Sequence, residues 1–226
     1  MTASRAGLLA ALASLLACAG PSVRLRRHAL PPPARESRAD APRRSVGPAP
    51  GLPRRDDDRL SPPVKPEVAA AIETATSMVG HRAVVVEGVD YGPGCGALVR
   101  AAFARTEHPL PAEVRDAEGI HALASARGAL AAPRTPAPGD LVFLADHPGG
   151  PPAHVGLVAH TEADGTALVI HRVARGVMRV RMNLAYPERP TDPSTGKHIN
   201  DVLVVHHEAM PAGSLVVAVS DLLRRG

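Results

Sequence analysis

Aromatic side chains are nearly absent. Phe103, Phe143, Tyr91 and Tyr186 are the whole set among 226 residues, and there is no tryptophan. Binding single-stranded nucleic acid by base stacking needs aromatic platforms, so the composition argues against nucleic acid as a partner. It argues equally against an aromatic-lined sugar groove. Two cysteines, Cys18 and Cys95, cannot build a disulfide framework. No apolar run approaches the ~20 residues that a membrane-spanning helix needs. Eleven histidines are present, but no short ligand motif such as His-Glu-x-x-His. A zinc site gathered from His154, His160, His171, His206 and His207 is therefore the weaker reading, and nothing calls for a cofactor.

What is present is a hydrophobic fraction of 45%, enough for one core, and 24 prolines spread unevenly. The length suits one domain with a tail, or two small domains. Charge is uneven too. Residues 19–65 hold eleven Lys or Arg against five Asp or Glu, whereas residues 66–226 hold fourteen against seventeen. The basic character therefore belongs to the N-terminal third. Such a segment can lie on an anionic polymer or serve as a solvated linker.

The N-terminus reads as an export signal. Arg5 supplies a short positive region, and residues 8–17 form an apolar stretch rich in Leu and Ala, too short to span a bilayer. It ends in Leu15-Leu16-Ala17-Cys18, which resembles a bacterial lipobox. Lipidation of Cys18 would then anchor the chain to a membrane. The competing reading takes Ala17-Cys18-Ala19 as an ordinary signal-peptidase site. Either route carries the protein out of the cytoplasm, periplasm-facing or secreted. Ten of the 47 residues in 19–65 are proline and apolar periodicity is lost, so a disordered, semi-extended tether is expected there.

From residue 66 the pattern changes to helices, then strands. Pro66 and Glu67 suit a helix start, with apolar Val68, Ala71, Ile72, Ala75, Met78 and Val79 behind them and Gly80 at the end. Residues 95–107 predict a second helix. Residues 111–130 contain a third, weakened by Gly119. Strands are expected over 140–145, 153–161, 166–173, 177–183 and 201–207, with a sixth over 215–219. Helices first and hairpin strands after predict an α+β fold with an antiparallel sheet of five to six strands.

Three residues carry candidate chemistry. In Gly92-Pro93-Gly94-Cys95-Gly96-Ala97 a glycine-rich turn enters an apolar helix, placing Cys95 at its N-terminus. The positive end of a helix favours thiolate, and its free amides can bind a developing oxyanion. His154, in Ala153-His154-Val155-Gly156, begins a strand and can take the thiol proton. His171 on the next strand can orient that imidazole, as the third member of a triad does. Each residue by itself also fits a structural role.

Taken together, Cys95 opening a helix, Gly139-Asp140-Leu141-Val142-Phe143 and His154-Val155-Gly156 resemble the NlpC-type cell-wall cysteine peptidases, papain-like enzymes related to the CHAP amidases. Spacings of 59 residues from Cys95 to His154 and 17 from His154 to His171 are similar to that family. The resemblance covers roughly residues 66–205. It implies a papain-like domain over 66–226 in which Cys95 is nucleophile, His154 general base and His171 the orienting residue. The implied reaction is hydrolysis of an amide bond in peptidoglycan, between D-glutamate and the diamino acid of the stem peptide. A CHAP-like amidase cutting between muramic acid and L-alanine is one alternative. A non-catalytic wall-binding lipoprotein of the same fold is another. The family has Asp before the cysteine and Ser or Thr after it; this chain has Gly94 and Gly96. A monomer is expected. Arg172, Arg175, Arg179 and Arg181 border His171, where they can meet stem carboxylates or form a solvated sheet face.

Strand register tests the triad. A two-residue turn at Asp164-Gly165 would set His171 opposite Val158, four residues and ~13 Å from His154. A working pair needs the loop centred near Glu162-Ala163, or a bulge. The expectation is the shifted register, with the two histidines opposite each other on one face.

Overall fold

The computed structural model describes residues 64–225 and a two-residue strand at Arg24–Leu25. The expected export signal with Cys18, and nearly all of the expected tether, lie outside the described residues.

In chain order the elements are β1 (Arg24–Leu25), α1 (Pro66–Ser77), β2 (Val85–Val86), β3 (Val89–Asp90), α2 (Gly96–Phe103), α3 (Ala117–Ala126), β4 (Leu130–Ala131) and β5 (Leu141–Leu144). Then follow β6 (His154–Thr161), β7 (Thr166–Val173), β8 (Gly176–Asn183), β9 (Val202–Val205), β10 (Glu208–Pro211), a 3-10 turn (Ala212–Leu215), β11 (Val216–Ser220) and α4 (Leu222–Arg225). The fold is α+β. Its centre is a six-stranded antiparallel sheet in the order β4-β11-β5-β6-β7-β8.

Alternation along the strands divides the core into two layers. Leu141 and Phe143 of β5, with Val155 and Leu157 of β6, pack against Val68, Ala71 and Ala75 of α1 and Leu98, Ala102 and Phe103 of α2. Val142, Leu144, Val158 and Val169 face the other way. There they meet Leu203 and Val205 of β9, and Ala212 and Leu215 of the turn. Both faces of the sheet are thus covered, which is why the strands are apolar on both sides. All of α2 except Arg100 is buried.

The helices follow their local signals. Pro66 opens α1, with Glu67 in the first turn. Asp116 caps α3, and its carboxylate accepts from the amide of Gly119 at 2.8 Å. A Cβ on Gly119 would stand 3.2 Å from that same oxygen, so the glycine that weakens the helical signal also keeps room for the cap.

One expected strand lies elsewhere. The 201–207 segment forms β9 outside the six-stranded sheet, in a three-stranded sheet ordered β1-β9-β10. The cause is local: His206 and His207 both adopt positive φ, 48° and 72°. Two such residues make the tight hairpin turn that folds β10 back on β9. The sixth place in the main sheet belongs instead to the short edge strand β4, paired with β11.

Candidate active site

Cys95 is the N-cap residue of α2 and is half-buried. Its Sγ stands 3.6 Å from the carbonyl oxygen of Ala153, the residue before His154. The turn of α2 thus meets the start of β6, bringing together two segments 58 residues apart. At Gly96 the same turn packs closely against the segment before α3. A Cβ there would meet the Arg115 carbonyl oxygen at 2.5 Å, closer than any real Cβ contact. At Gly94 the same oxygen would be 3.6 Å away, an ordinary contact. The serine or threonine usual in the resembled family therefore has no room at position 96, whereas a side chain at 94 has.

The loop before Cys95 is tied down from the sheet. Arg172 of β7 donates through Nη1 to the Pro93 carbonyl and through Nη2 to the Arg82 carbonyl at 3.2 Å. That guanidinium is committed to backbone carbonyls. Arg181 stands 3.8 Å from Glu162. Arg100 donates to the Tyr91 carbonyl at 3.4 Å, and its guanidinium lies 5.7 Å from the Tyr91 ring centroid.

His154 opens β6 opposite Leu144. His171 on β7 pairs with Gly156, and a bulge between Val158 and His160 displaces the ladder. The loop is Ala163-Asp164-Gly165, closed by Glu162 and Thr166, with Gly165 at φ 82°. The register therefore shifts only part of the way. The expected direct opposition is replaced by a diagonal pair, two residues apart on one face. Side chains so placed still meet: the imidazole centroids are 5.5 Å apart, edge to face at 76°. Gly156 leaves the space beside His171. A Cβ there would meet Val169 Cγ1 at 2.5 Å, the Ile170 carbonyl oxygen at 3.0 Å and His171 Cβ at 3.5 Å.

The two histidines differ in environment. His171 is 2% exposed, and its Nε2 has no hydrogen-bond partner. Burial, with the neighbouring His154 charge adding to it, pushes its pKa down to about 3. It is neutral wherever the protein is near neutral pH. His154 is half-buried, and its Nε2 lies 3.0 Å from Asp146 Oδ1. Asp146 was not among the residues singled out from the sequence. One signal was available: it is the sole carboxylate in the connection 145–153 between β5 and β6.

Asp140, conspicuous in the sequence, is structural. It is fully buried, its Oδ1 accepting from Arg224 at 2.7 and 2.9 Å. Its Oδ2 accepts from Arg134 at 3.0 Å and from the Ala137 amide at 2.9 Å. This cluster joins the start of β5 to the C-terminal helix α4. Among the described residues no three of His, Cys, Asp and Glu are grouped to hold a metal ion, and no helix is long and apolar enough to cross a membrane. A pocket lined by Ala70, Glu73, Thr74, Ser77, Val86 and Arg105 lies at α1 and includes none of Cys95, Asp146, His154 and His171.

The class defined so far is an α+β domain with a six-stranded antiparallel sheet, a cysteine at the start of α2 whose sulfur meets the Ala153 carbonyl, and a His154–Asp146–His171 group at the start of β6. No protein-family model, no curated protein and no solved structure matches the chain.

Proposed function

We propose that this protein is a cysteine hydrolase of the papain-like, NlpC-type class that cleaves an amide bond in peptidoglycan stem peptides. The observation that carries the reading is Cys95 at the N-terminus of α2, its sulfur on the peptide that leads into His154. His154 removes the thiol proton, the thiolate attacks the scissile carbonyl, and a thioester forms as the amine leaves with that proton. Water, deprotonated by His154, then attacks the thioester and restores the thiol. Amides at the start of α2 are the groups that would bind the developing oxyanion. By resemblance the bond is D-glutamyl to diamino acid, with the muramoyl–L-alanine amide as the alternative. The N-terminal signal read from the sequence would carry the protein out of the cytoplasm, anchored through Cys18 when that residue is lipidated.

The test is to incubate the protein and its Cys95→Ala variant with purified peptidoglycan and identify soluble fragments by mass. Fragments from the native protein alone are expected, and their new termini name the bond. Wall that stays intact with native, reduced, folded protein, yet retains it on sedimentation, would support the non-catalytic wall-binding reading instead.

A further inference from the structure

The imidazole of a cysteine hydrolase needs a partner that holds its far nitrogen and offsets the charge it gains on taking the thiol proton. Two side chains stand beside His154. His171 meets it edge-on with 5.5 Å between ring centroids, and its own Nε2 has no partner. Asp146 is within hydrogen-bond distance of His154 Nε2, at 3.0 Å.

Chemistry separates the two. A carboxylate accepts only, so the bond to Asp146 requires the proton on Nε2. That leaves the Nδ1 lone pair of His154 to receive the thiol proton. The carboxylate also stabilises the imidazolium once formed, whereas a buried neutral histidine supplies no opposite charge. Asp146 is well placed for this work. It follows Ala145, whose amide donates to the Leu215 carbonyl at 2.8 Å. The far end of its loop is held by the Ala153 amide on the Leu144 carbonyl at 2.8 Å, and its middle by Gly150 on His147 at 3.0 Å. A short loop pinned at both ends keeps the carboxylate at the start of β6.

We propose that Asp146, rather than His171, is the positioning residue for His154, fixing its tautomer and balancing its charge. This rests on the hydrolase reading above. His171 then packs against the His154 ring in the space that Gly156 leaves.

The experiment follows carbamidomethylation of the Cys95-containing peptide by mass across a pH series. It uses the full chain and its Asp146→Asn, Asp146→Ala and Asp146→Glu variants, with thermal unfolding of each as a control. Asp146→Ala and Asp146→Asn should slow alkylation near neutral pH about tenfold or more and displace the midpoint of its pH profile. Asp146→Glu should recover part of the loss. Nitrogen-15 resonances of the native protein should place the His154 proton on Nε2. A native proton on Nδ1, or Ala and Asn profiles that coincide with the native one, overturns the proposal even if the native protein digests wall. Displaced profiles with no digestion of wall by the native protein leave Asp146 in its role and remove the peptidoglycan reading. Should Asp146→Ala unfold, the isosteric Asp146→Asn and the native tautomer decide the matter.

Discussion

At the scale of single residues the site depends on close approaches that leave no room for a side chain. Gly96 faces the Arg115 carbonyl, and Gly156 faces Val169 and the Ile170 carbonyl. Gly96→Ser, which would recreate the residue common in the resembled family, should therefore lower alkylation at Cys95 and melt at lower temperature. The cost expected for forcing atoms into a packed backbone is about 1–3 kcal/mol. Gly94→Asp has ordinary clearance and should melt close to the native protein. If Gly96→Ser were as stable as native, the approach of Arg115 would not be the reason for glycine there.

At the scale of elements, α2 and β6 do the placing. The helix is short and buried on nearly every side, so its N-terminus cannot shift without disturbing the core. Arg172 reinforces this from β7 through the Pro93 and Arg82 carbonyls. Arg172→Leu would free both carbonyls, and the Cys95 loop should then be cut faster in limited proteolysis. An unchanged rate of cutting would show that the core alone holds the loop. The cap of α3 is separable: Asp116→Ala should lower stability by about 1 kcal/mol, read from urea unfolding, with Cys95 alkylation retained. Sequence pattern found β5, β6, β7, β8 and β11 to within one residue at each end and the start of α1, while α2 and α3 lie inside the longer segments expected to hold them. It missed the destination of β9, because strand periodicity states which residues are extended and not which neighbour they pair with.

At the scale of the whole molecule, burial of His171 links stability to pH. Its pKa is about 3 in the folded protein against 6.5 for the free side chain. The folded state keeps it neutral while the unfolded chain takes up a proton below about pH 6.5. The stabilisation is therefore complete above pH 6.5 and is lost as pH falls from there towards 3, by ~1.4 kcal/mol per pH unit. His171→Gln should flatten this part of the profile in urea unfolding at pH 7, 5 and 4; parallel slopes for the two proteins would sink the argument. Asp140 acts across the same scale, joining the 134–140 segment to α4. Asp140→Ala should cost about 1–3 kcal/mol through its lost hydrogen bonds, discounted because Arg134 and Arg224 are more than a third exposed and can be hydrated.

The sequence by itself determined the α+β class, the order of α1, α2 and α3 ahead of the main sheet, and the placing of Cys95 at a helix start and His154 at a strand start. These rest on local signals: glycine turns, apolar periodicity and helix caps act over a few residues. Only the tertiary structure decided which side chain meets which. A bulge and a three-residue loop set His171 beside Gly156 instead of His154. The pairing of β5 with β6 brought Asp146 to His154. Register and loop closure depend on how both faces of the sheet are packed, and that sum over distant residues is not written in any one segment.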